Sequence, residues 1–379
     1  MRKAVMLAMG LLSLASNSAV ASWLPDKAQV DGWLNELGAD GQFDASKGID
    51  WGVMPGPFYT PELGLGIGTA VVGMYRPDDS GPATQNSTLS LSGYFSTTGA
   101  FGLGVQNYTF LDNDRWRFFF DGKLDNTPTW YWGTGYHAGH DDKDKQKYTA
   151  QGVMARPEIM RQVADHSWVG LGWSFSTLHA SGIEKRANDL LHNEAYGPSV
   201  LSSGASISLN VDTRDFVPNP SRGQALMLRY THYDDAFGSE ARFEEYQTRY
   251  NLYYSLSESS VLAWDLDGHF TQGEVPWNML PLLGSDQRMR GYYEGRYRDR
   301  NAISGQVEYR RKLDWRNGIV LWGGGGTMGP RTSELLKGAW LPSVGVGYRF
   351  EFKPRMNVRL DYGIGRESSG FYFQVGEAF

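Results

Sequence analysis

The chain has 379 residues, 47 glycines, 14% aromatic residues and no cysteine, and its formal net charge is -6. The absence of cysteine excludes a disulfide framework and a thiolate metal site, and the acidic charge argues against nucleic acid as a partner. Many glycines and aromatic residues are typical of an all-β chain of short strands, and of membrane barrels in particular, whose rims carry aromatic girdles.

The first 21 residues have the three parts of a secretory signal peptide. Arg2 and Lys3 give a positive start, an apolar stretch follows at 4–14, and Ala19–Ala21 has the small-x-small form of a cleavage site. The apolar stretch is too short to cross a bilayer as a helix. We therefore expect a Sec-exported chain whose signal peptide, 1–21, is cleaved near Ala21; the alternative is an ordinary buried helix.

Residues 22–53 are predicted to be a short leader ahead of the first strands. Pro25 and Asp26 can begin a helix. One face of that helix would carry four apolar residues, namely Val30, Trp33, Leu34 and Leu37. The leader is too short to be a folded domain by itself, and the alternative to a helix is a loosely ordered segment.

The rest of the chain repeats one pattern, in which apolar and polar residues alternate. In the stretch 115–124 the apolar residues Trp116, Phe118 and Phe120 alternate with Arg117 and Asp121. A period of two places alternate side chains on opposite faces of a strand. The same pattern recurs at 246–254, 262–270 and 357–362. It predicts an all-β chain in which each strand has one apolar and one polar face.

The polar face distinguishes between two architectures. In a soluble sandwich the polar face points to water, whereas in a membrane barrel apolar side chains face lipid and charged ones line the lumen. An open sheet edge in lipid would leave backbone groups unpaired, so such a sheet must close. The large aromatic residues on the apolar face, together with the signal peptide, predict a transmembrane antiparallel β-barrel in the bacterial outer membrane, with membrane lipid as its partner. A soluble sandwich is the alternative.

Fifteen strands can be counted from the alternation, whereas single-chain bacterial barrels have an even number. We therefore predict sixteen strands, with the missing one inside 125–200, where the pattern is blurred; fourteen is the alternative. The barrel domain is predicted at 54–379, after a periplasmic leader at 22–53. The predicted strands are 64–76, 86–97, 100–111, 114–124, 147–161, 167–178, 203–213, 222–233, 244–256, 260–271, 303–313, 317–328, 340–350, 356–364 and 370–379.

The connections between predicted strands fall into two lengths. Tight turns stand at 97–99 and 257–259, and longer connections at 77–85, 234–243, 272–302 and 329–339. Barrels of this kind alternate short periplasmic turns with longer extracellular loops. We therefore assign the tight turns to the periplasmic end and the longer connections to the extracellular end.

The last residues alternate and end on an aromatic. The alternating positions are Phe371, Phe373, Val375 and Phe379. They resemble the terminal-strand signal by which outer-membrane barrels are recognised for insertion, which implies the barrel insertion machinery as a partner during biogenesis. Glu377 departs from that signal, although a carboxylate near the membrane interface costs little. The alternative is that Phe379 merely anchors the last strand.

Three short motifs stand in a fixed order along the chain. They are Pro57–Glu62 with Gly64 and Gly66, Asp212-Thr213-Arg214-Asp215 with Pro220-Ser221-Arg222-Gly223, and Met289-Arg290-Gly291-Tyr292. Together they resemble the first strand, the Asp-Thr-Arg-Asp…Pro-Thr-Arg-Gly turn and the Val-Arg-Gly-Phe/Tyr loop of the BamA/TamA-like outer-membrane assembly factor superfamily, the bacterial surface antigen barrels. The resemblance covers residues 55–379. Five predicted strands follow the last motif, as the sixteen-strand barrel of the family requires.

The resemblance implies that the long loop folds back into the lumen, where acidic groups of the wall hold the arginine that corresponds to Arg290. Glu308 points inward in its predicted strand and matches an acidic position of the family. The next strand lacks the family's aspartate, since 321–326 reads LWGGGG. We expect Glu308, with Asp265 or Asp361, to pair with Arg290, because an unpaired buried charge is costly. The alternative is a loop arginine in solvent.

The resemblance also implies a role in outer-membrane biogenesis, that is, insertion or translocation of protein or lipid, and a weak seam between the first and last strands. The assembly and secretion members of the family carry periplasmic POTRA domains, for which the leader is too short. The resemblance is therefore to a POTRA-less member, in which client capture as those members perform it would need a separate periplasmic protein. A passive channel or a structural barrel is the alternative function.

Residues that suggest catalysis or metal binding are few, and we predict neither an enzyme nor a cofactor. The pair of histidines in His137–Asp142 has a spacing that can bind a metal, but it stands in a charged run typical of a solvated connection, so no metal site is expected. Ser174 and Ser176 lie near His179 in sequence, which is too generic to predict a catalytic pair. Asp212 and Asp215 are better explained as turn residues.

Overall fold

A computed structural model describes residues 27–60, 63–81 and 84–379 of the chain. The predicted signal peptide 1–21 lies outside the described residues, and so do Pro25–Asp26 and Pro61–Glu62. No helix in the described part of the chain has the length and apolar character that a membrane crossing requires.

The described residues form a closed antiparallel barrel of sixteen strands, which confirms the predicted fold class and strand number. Each strand pairs with its neighbour along the chain, and the first and last strands close the ring. The strands are β1 (Ile49–Thr60), β2 (Gly64–Tyr75), β3 (Ser87–Ser96), β4 (Phe101–Leu111), β5 (Trp116–Tyr131), β6 (Gln146–Ala164), β7 (Ser167–Ser181), β8 (Ser199–Asp212), β9 (Gly223–Tyr233), β10 (Phe243–Ser257), β11 (Ser260–Gly273), β12 (Asn301–Lys312), β13 (Asn317–Gly329), β14 (Leu341–Lys353), β15 (Met356–Gly365) and β16 (Ser368–Val375).

The sixteenth strand is β1, so the prediction that it lies inside 125–200 is wrong. That stretch belongs instead to β5, β6, β7 and the start of β8, and to the connections 132–145 and 182–198. The sequence signal for β1 is weak because two prolines and two glycines interrupt its alternation, and both residue types are depleted in strands. The barrel wall therefore begins at Ile49.

Successive connections alternate between two ends of the barrel, because every neighbouring pair of strands is antiparallel. The turn end has the connections 112–115, 165–166, 213–222, 258–259 and 354–355, and the loop end has 132–145, 182–198, 274–300 and 330–340. Two predicted assignments are wrong: the tight turn at 97–99 lies at the loop end, and the longer connection at 77–85 lies at the turn end. Order along the chain, and not length, decides the end at which a connection lies.

The two faces of the wall have opposite character. On the outer face the apolar side chains are exposed, as at Leu103 (60%), Leu171 (63%) and Tyr254 (61%). On the inner face charged side chains are buried, as at Asp265 and Glu308, both at 0%. This distribution is the inverse of a soluble protein and is the one that a barrel in lipid requires.

The ring closes at a weak seam between β1 and β16. In the described part of the chain these strands share one residue pair, Tyr59 with Phe371, whereas β1 and β2 are paired along all twelve residues of β1. Two prolines explain part of this difference. Backbone N–H groups alternate between the two edges of a strand, and the N–H of Val53 points to the seam side, so the nitrogens of Pro55 and Pro57 face the seam as well. Proline has no N–H to donate, and the seam edge therefore lacks two ladder donors.

The leader folds against the turn-end half of this seam. It contains helix α1 (Lys27–Glu36), so the expected helix is present. After the helix, the carbonyl of Leu37 accepts a hydrogen bond from Val53 N at 2.8 Å, and Gly41 N donates to the carbonyl of Phe352 at 3.0 Å. The buried Lys353 ammonium donates to the Asp50 carboxylate at 2.8 Å. The leader thus bridges β1 and β14 where β16 does not reach.

Candidate functional site

The connection 274–300, called here the lumen loop, folds back inside the barrel. Its middle forms a two-stranded ribbon between Leu282–Leu283 and Tyr297–Arg298. A short helix, α2 (Tyr136–His140), packs on this ribbon through Tyr136 and Tyr297, whose rings stack at 6.0 Å. The buried apolar residues of the loop and of the wall beside it form one cluster of Leu283, Met289, Tyr292, Tyr297, Ala302, Met328 and Leu341.

Arg290 is the centre of the loop's attachment to the wall and is fully buried. Its guanidinium donates to the Asp361 carboxylate of β15 at 2.6 Å and to the Glu308 carboxylate of β12. The same guanidinium lies 3.7 Å from the ring centroid of Trp322 on β13. Two carboxylates offset the cost of desolvating the arginine, and the indole adds a cation–π contact. Trp322 therefore stands in the strand where the family's aspartate is missing.

The carboxylates that hold Arg290 are shared with arginines of the wall. Asp361 also accepts from Arg349 at 2.6 Å and from Arg359 at 2.8 Å, and Glu308 also accepts from Arg310 at 3.0 Å. Charge-assisted hydrogen bonds of this kind are the stronger ones in proteins. The attachment is therefore a network that crosses β12, β14 and β15, and not a single ion pair.

Asp265 does not contact Arg290, which corrects the expectation that it is a partner. It binds Arg288 instead, through two hydrogen bonds of 2.7 and 2.9 Å, and also accepts from Asn251 at 2.7 Å. Arg288 offered no strand alternation as a signal, because the segment is bent and Met289 has a φ of +53°. The loop thus has a second anchor on β11, beside the one at Arg290.

The two residues after Arg290 are held by β16 and β14, the two neighbours of β15. Gly291 N donates to the Tyr372 hydroxyl at 2.9 Å, and the Tyr292 hydroxyl donates to the Pro342 carbonyl at 2.6 Å. Gly291 has a φ of +105°, and a Cβ there would stand 2.7 Å from the backbone of Ile364. Glycine is therefore required on both conformational and steric grounds.

The turn motif lies at the turn end, where β8 meets β9. The Asp212 carboxylate accepts from Arg214 at 2.8 Å and from Arg117 at 2.9 Å, so it ties the turn to β5. Asp212 also accepts from Arg214 N at 3.1 Å, as an Asx-turn residue does, and Asp215 accepts from Ser221 N at 2.9 Å across the turn. Gly223 has a φ of +99°, and a Cβ there would collide with the Thr213 carbonyl.

The C-terminal residues separate into two groups. Phe371 pairs with Tyr362, an exposed residue of the outer face, whereas Phe373 and Val375 pack against the buried cluster that includes Met54 and Val358. Phe379 turns inward, and its carbonyl accepts from Arg310 at 2.8 Å. Glu377, the residue that departs from the predicted insertion signal, does not face the membrane. Its carboxylate accepts a hydrogen bond from Arg349 at 2.7 Å inside the barrel.

Ser174 and His179, considered for catalysis, lie on opposite faces of the wall. Ser174 lies on the inner face and accepts from the Tyr233 hydroxyl at 2.8 Å, whereas His179 lies on the outer face and contacts Ser199 at 2.6 Å. No group of three potential metal ligands occurs among the described residues. Among the described residues, charged networks and aromatic side chains surround the lumen loop and hold it in place.

Comparison with known proteins places this geometry in context. Residues 85–379 match the family model described as the Omp85 superfamily domain. Among solved structures, BamA from Haemophilus ducreyi lacking POTRA domains 1-3 is similar with a TM-score of 0.51 and 13% identity, covering 86% of this chain and 69% of that one. CdiB from Acinetobacter baumannii gives 0.53 and 11%, covering 98% and 71%, and CdiB from Escherichia coli gives 0.55 and 10%, covering 86% and 61%. These identities support a shared fold, and no curated protein matches the sequence.

Proposed function

Because the chain belongs to the Omp85 superfamily, whose barrels lie in the bacterial outer membrane, we propose that it acts in outer-membrane biogenesis by inserting or translocating protein or lipid. The observation that carries this proposal is the seam. A wall that admits or releases material sideways into the bilayer needs a place where it opens at low cost, and local opening occurs where few hydrogen bonds hold an element. A barrel that only passes solutes along its axis gains nothing from such a place.

The arrangement around the seam supports the same reading. The single ladder pair, Tyr59 with Phe371, stands near the loop-end tip of β1, and the prolines leave the edge below it without two donors. Gly291, next to the buried Arg290, is bonded to Tyr372 of β16. The lumen loop therefore touches the strand on one side of the seam, and a change in the loop is transmitted to the wall where it is weakest.

A covalent lock tests the proposal. The chain has no cysteine, so the double variant Tyr59→Cys, Phe371→Cys places one thiol pair across the seam, at the separation of cross-strand partners that suits a disulfide. In cells that depend on this barrel for envelope integrity, the oxidised variant is expected to fail and to recover when the disulfide is reduced. Recovery on reduction separates the effect of the lock from a failure to fold.

A matched control uses the other neighbour of the same residue. Tyr59 also pairs with Leu65 across β1 and β2, so Tyr59→Cys, Leu65→Cys locks two strands that stay together when the seam opens. This variant is expected to act like the wild type when oxidised. Full activity of the oxidised seam variant would overturn the proposal.

A separate periplasmic protein is part of the proposed function. The leader residues that precede β1 are folded against the seam through Leu37 and Gly41, so this segment is engaged and not available to receive a client. Cross-linking from the turn end in intact cells, followed by mass spectrometry, is expected to identify a periplasmic partner. Insertion of a client by the purified barrel alone in liposomes would contradict this part of the proposal.

A further inference from the structure

The connection 213–222, between β8 and β9, crosses the mouth of the barrel at the turn end. On a ring of sixteen strands, β8 and β9 stand opposite β16 and β1. The connection nevertheless contacts the strands and turns on that far side. Its residues 216 and 217 are buried, at 6% and 7% exposure, although they belong to a turn at an open end of a barrel.

Polar contacts hold the far end of this connection at two places. The Arg355 guanidinium, in the connection between β14 and β15, donates to the Asp215 carboxylate at 2.9 Å and to the Asn219 carbonyl at 2.7 Å. Val217 N donates to the Gln85 side-chain oxygen, in the connection between β2 and β3, at 2.9 Å. The connection is thus attached on both sides of the seam.

An apolar contact lies between these two attachments. Phe216 belongs to the buried cluster that includes Met54 of β1 and Val72 and Met74 of β2, all on the inner face of the wall. The Arg355 guanidinium lies 5.1 Å from the centroid of the Phe216 ring, within the range of a cation–π contact. Phe216 therefore fills the mouth just inside the wall.

The connection is also stiffened from within. Besides Ser221 N, the Asp215 carboxylate accepts from the Ser221 hydroxyl and from Arg222 N. Burial raises the pKa of Asp215, but the hydrogen bonds from Ser221 and the charge of Arg355 outweigh burial and leave the pKa below its ordinary value. Because its internal bonds do not involve the far side, the connection keeps its shape when the cross-mouth contacts break.

We propose that the connection 213–222, called here the bolt, closes the turn-end mouth of the barrel and is held in place by Arg355. When these contacts break, the bolt moves away as a unit and admits material into the lumen from the turn end. The lumen loop is held from the other end of the barrel, through Arg288 and Arg290. This inference concerns which side the lumen opens to, and it goes beyond the proposed function, which concerns the seam.

Cysteine accessibility tests the bolt. Lys123 faces the lumen with 46% of its side chain exposed, so Lys123→Cys gives a single reporter thiol in a chain without cysteine. The full barrel is inserted in a planar bilayer, and a charged methanethiosulfonate reagent is added to one side at a time. Adding Arg355→Gln is expected to raise the rate of modification from the turn-end side by at least about ten-fold, as a shift in the open population does, and to leave the rate from the loop end unchanged.

The matched control is Arg222→Gln, which removes the same charge from the same connection at an exposed position that makes no cross-mouth contact in the described part of the chain. In this variant the reporter thiol is expected to be modified at the rate seen without the Arg355 change. Gln85→Ala, which removes the acceptor of Val217, tests the second attachment if the Arg355 variant does not fold, and is expected to raise the turn-end rate as well.

A reversible bridge completes the test. In the double variant Asp215→Cys, Arg355→Cys, a cleavable bismaleimide joins the two cysteines. The ionic current through the barrel is then measured before and after the bridge is cleaved. The bridged form is expected to show the low turn-end permeability of the wild type, and cleavage is expected to raise it. Equal turn-end rates for the wild type and both the Arg355 and Gln85 variants, or equal currents before and after cleavage, would overturn the bolt.

Discussion

At Arg290, a single buried side chain decides where a long loop rests. The guanidinium is fully buried, and it meets a carboxylate on β12, a carboxylate on β15 and the Trp322 ring on β13. Taking such a charge out of water is costly, and the geometry offsets that cost only while every partner stays in place. The loop is therefore held by an arrangement that any one substitution unbalances.

A double-mutant cycle measures how strongly Arg290 and Glu308 are coupled. Each single change, Arg290→Met and Glu308→Gln, is expected to lower the free energy of unfolding of the barrel by up to about 3–5 kcal/mol, because each removes one charge from a buried network whose other members stay charged. The double variant is expected to lose less than the sum of the two. The measurement is denaturant unfolding of the barrel in detergent micelles.

The control cycle pairs Arg288→Met with Glu308→Gln. Arg288 is anchored by Asp265 and not by Glu308, so these two changes are expected to add to within about 0.5 kcal/mol, as independent sites do. Additivity of the Arg290 cycle to the same degree would show that the two groups in contact do not depend on each other.

Gly291 gives a second prediction at the scale of one residue. Gly291→Ala places a methyl group 2.7 Å from the backbone of β15, which cannot retreat without breaking the sheet. The variant is expected to lose resistance to unfolding by heat on gels. Gly238→Ala is the control, because Gly238 has a φ of +84° but open space around its Cβ position, so it carries the backbone strain without the collision. Equal loss in both variants would leave only the backbone strain, about 1–2 kcal/mol.

The strand β1 shows how one element sets the behaviour of its neighbours. The edge of β1 that faces β2 is paired along its whole length, while Pro55 and Pro57 remove donors from the edge that faces β16. Proline is tolerated in a strand where its nitrogen faces away from a ladder. The residue composition of β1 therefore contributes to the weak seam, and the leader covers the part of β1 that β16 does not reach.

Restoring one donor tests this account of the seam. Pro57→Ala places an N–H opposite β16, two residues before Tyr59, and is expected to extend the pairing and to slow hydrogen–deuterium exchange of the β1 amides, since a strand paired on both edges opens less often. Pro128→Ala is the control, because Pro128 lies in β5 and away from the seam. Faster or unchanged exchange in β1 of the Pro57 variant would contradict the role of the prolines.

Across the whole molecule, the lumen is partly occupied by the lumen loop and is of mixed charge. The lumen loop lies inside the ring, and the connection 213–222 crosses its turn end. The charged residues of the inner face carry both signs, among them Arg117, Lys123, Arg249 and Arg359 against Asp121, Asp265, Asp267, Glu308 and Asp361. A pore lined in this way has no strong preference for either sign of ion.

Conductance in planar bilayers follows from this filling. The wild-type barrel is expected to give small, flickering currents without strong ion selectivity, because solutes must pass a loop held by Arg288 and Arg290. Arg290→Met is expected to raise the current by loosening that loop, while Arg186→Met, at a half-buried position paired with Glu184 of its own connection, is expected to leave it unchanged. A steady, large current through the wild type would favour the alternative function, a passive channel.

Local pattern was enough to establish the class of this protein. Alternation with a period of two, repeated between turn residues, depends only on neighbouring residues, and it predicted the apolar outer face and the polar inner face. The alternation gave fifteen strands, and the general rule that single-chain bacterial barrels have an even number gave sixteen. Arg290 and Gly291 could be singled out because a family motif is also a local string. Glu308 and Asp361 were selected as inward acids by the same alternation, and both contact Arg290 in the structure.

Only the tertiary structure decided what the closed ring brings together. Asp265 binds Arg288, and the Trp322 ring lies beside Arg290. Arg355 binds Asp215 across the mouth of the barrel. The end at which each connection lies, and the identity of β1 as the missing strand, also depend on the complete order of sixteen strands. These features rest on contacts between residues far apart in sequence, which closure and register determine, and no stretch of sequence contains that geometry by itself.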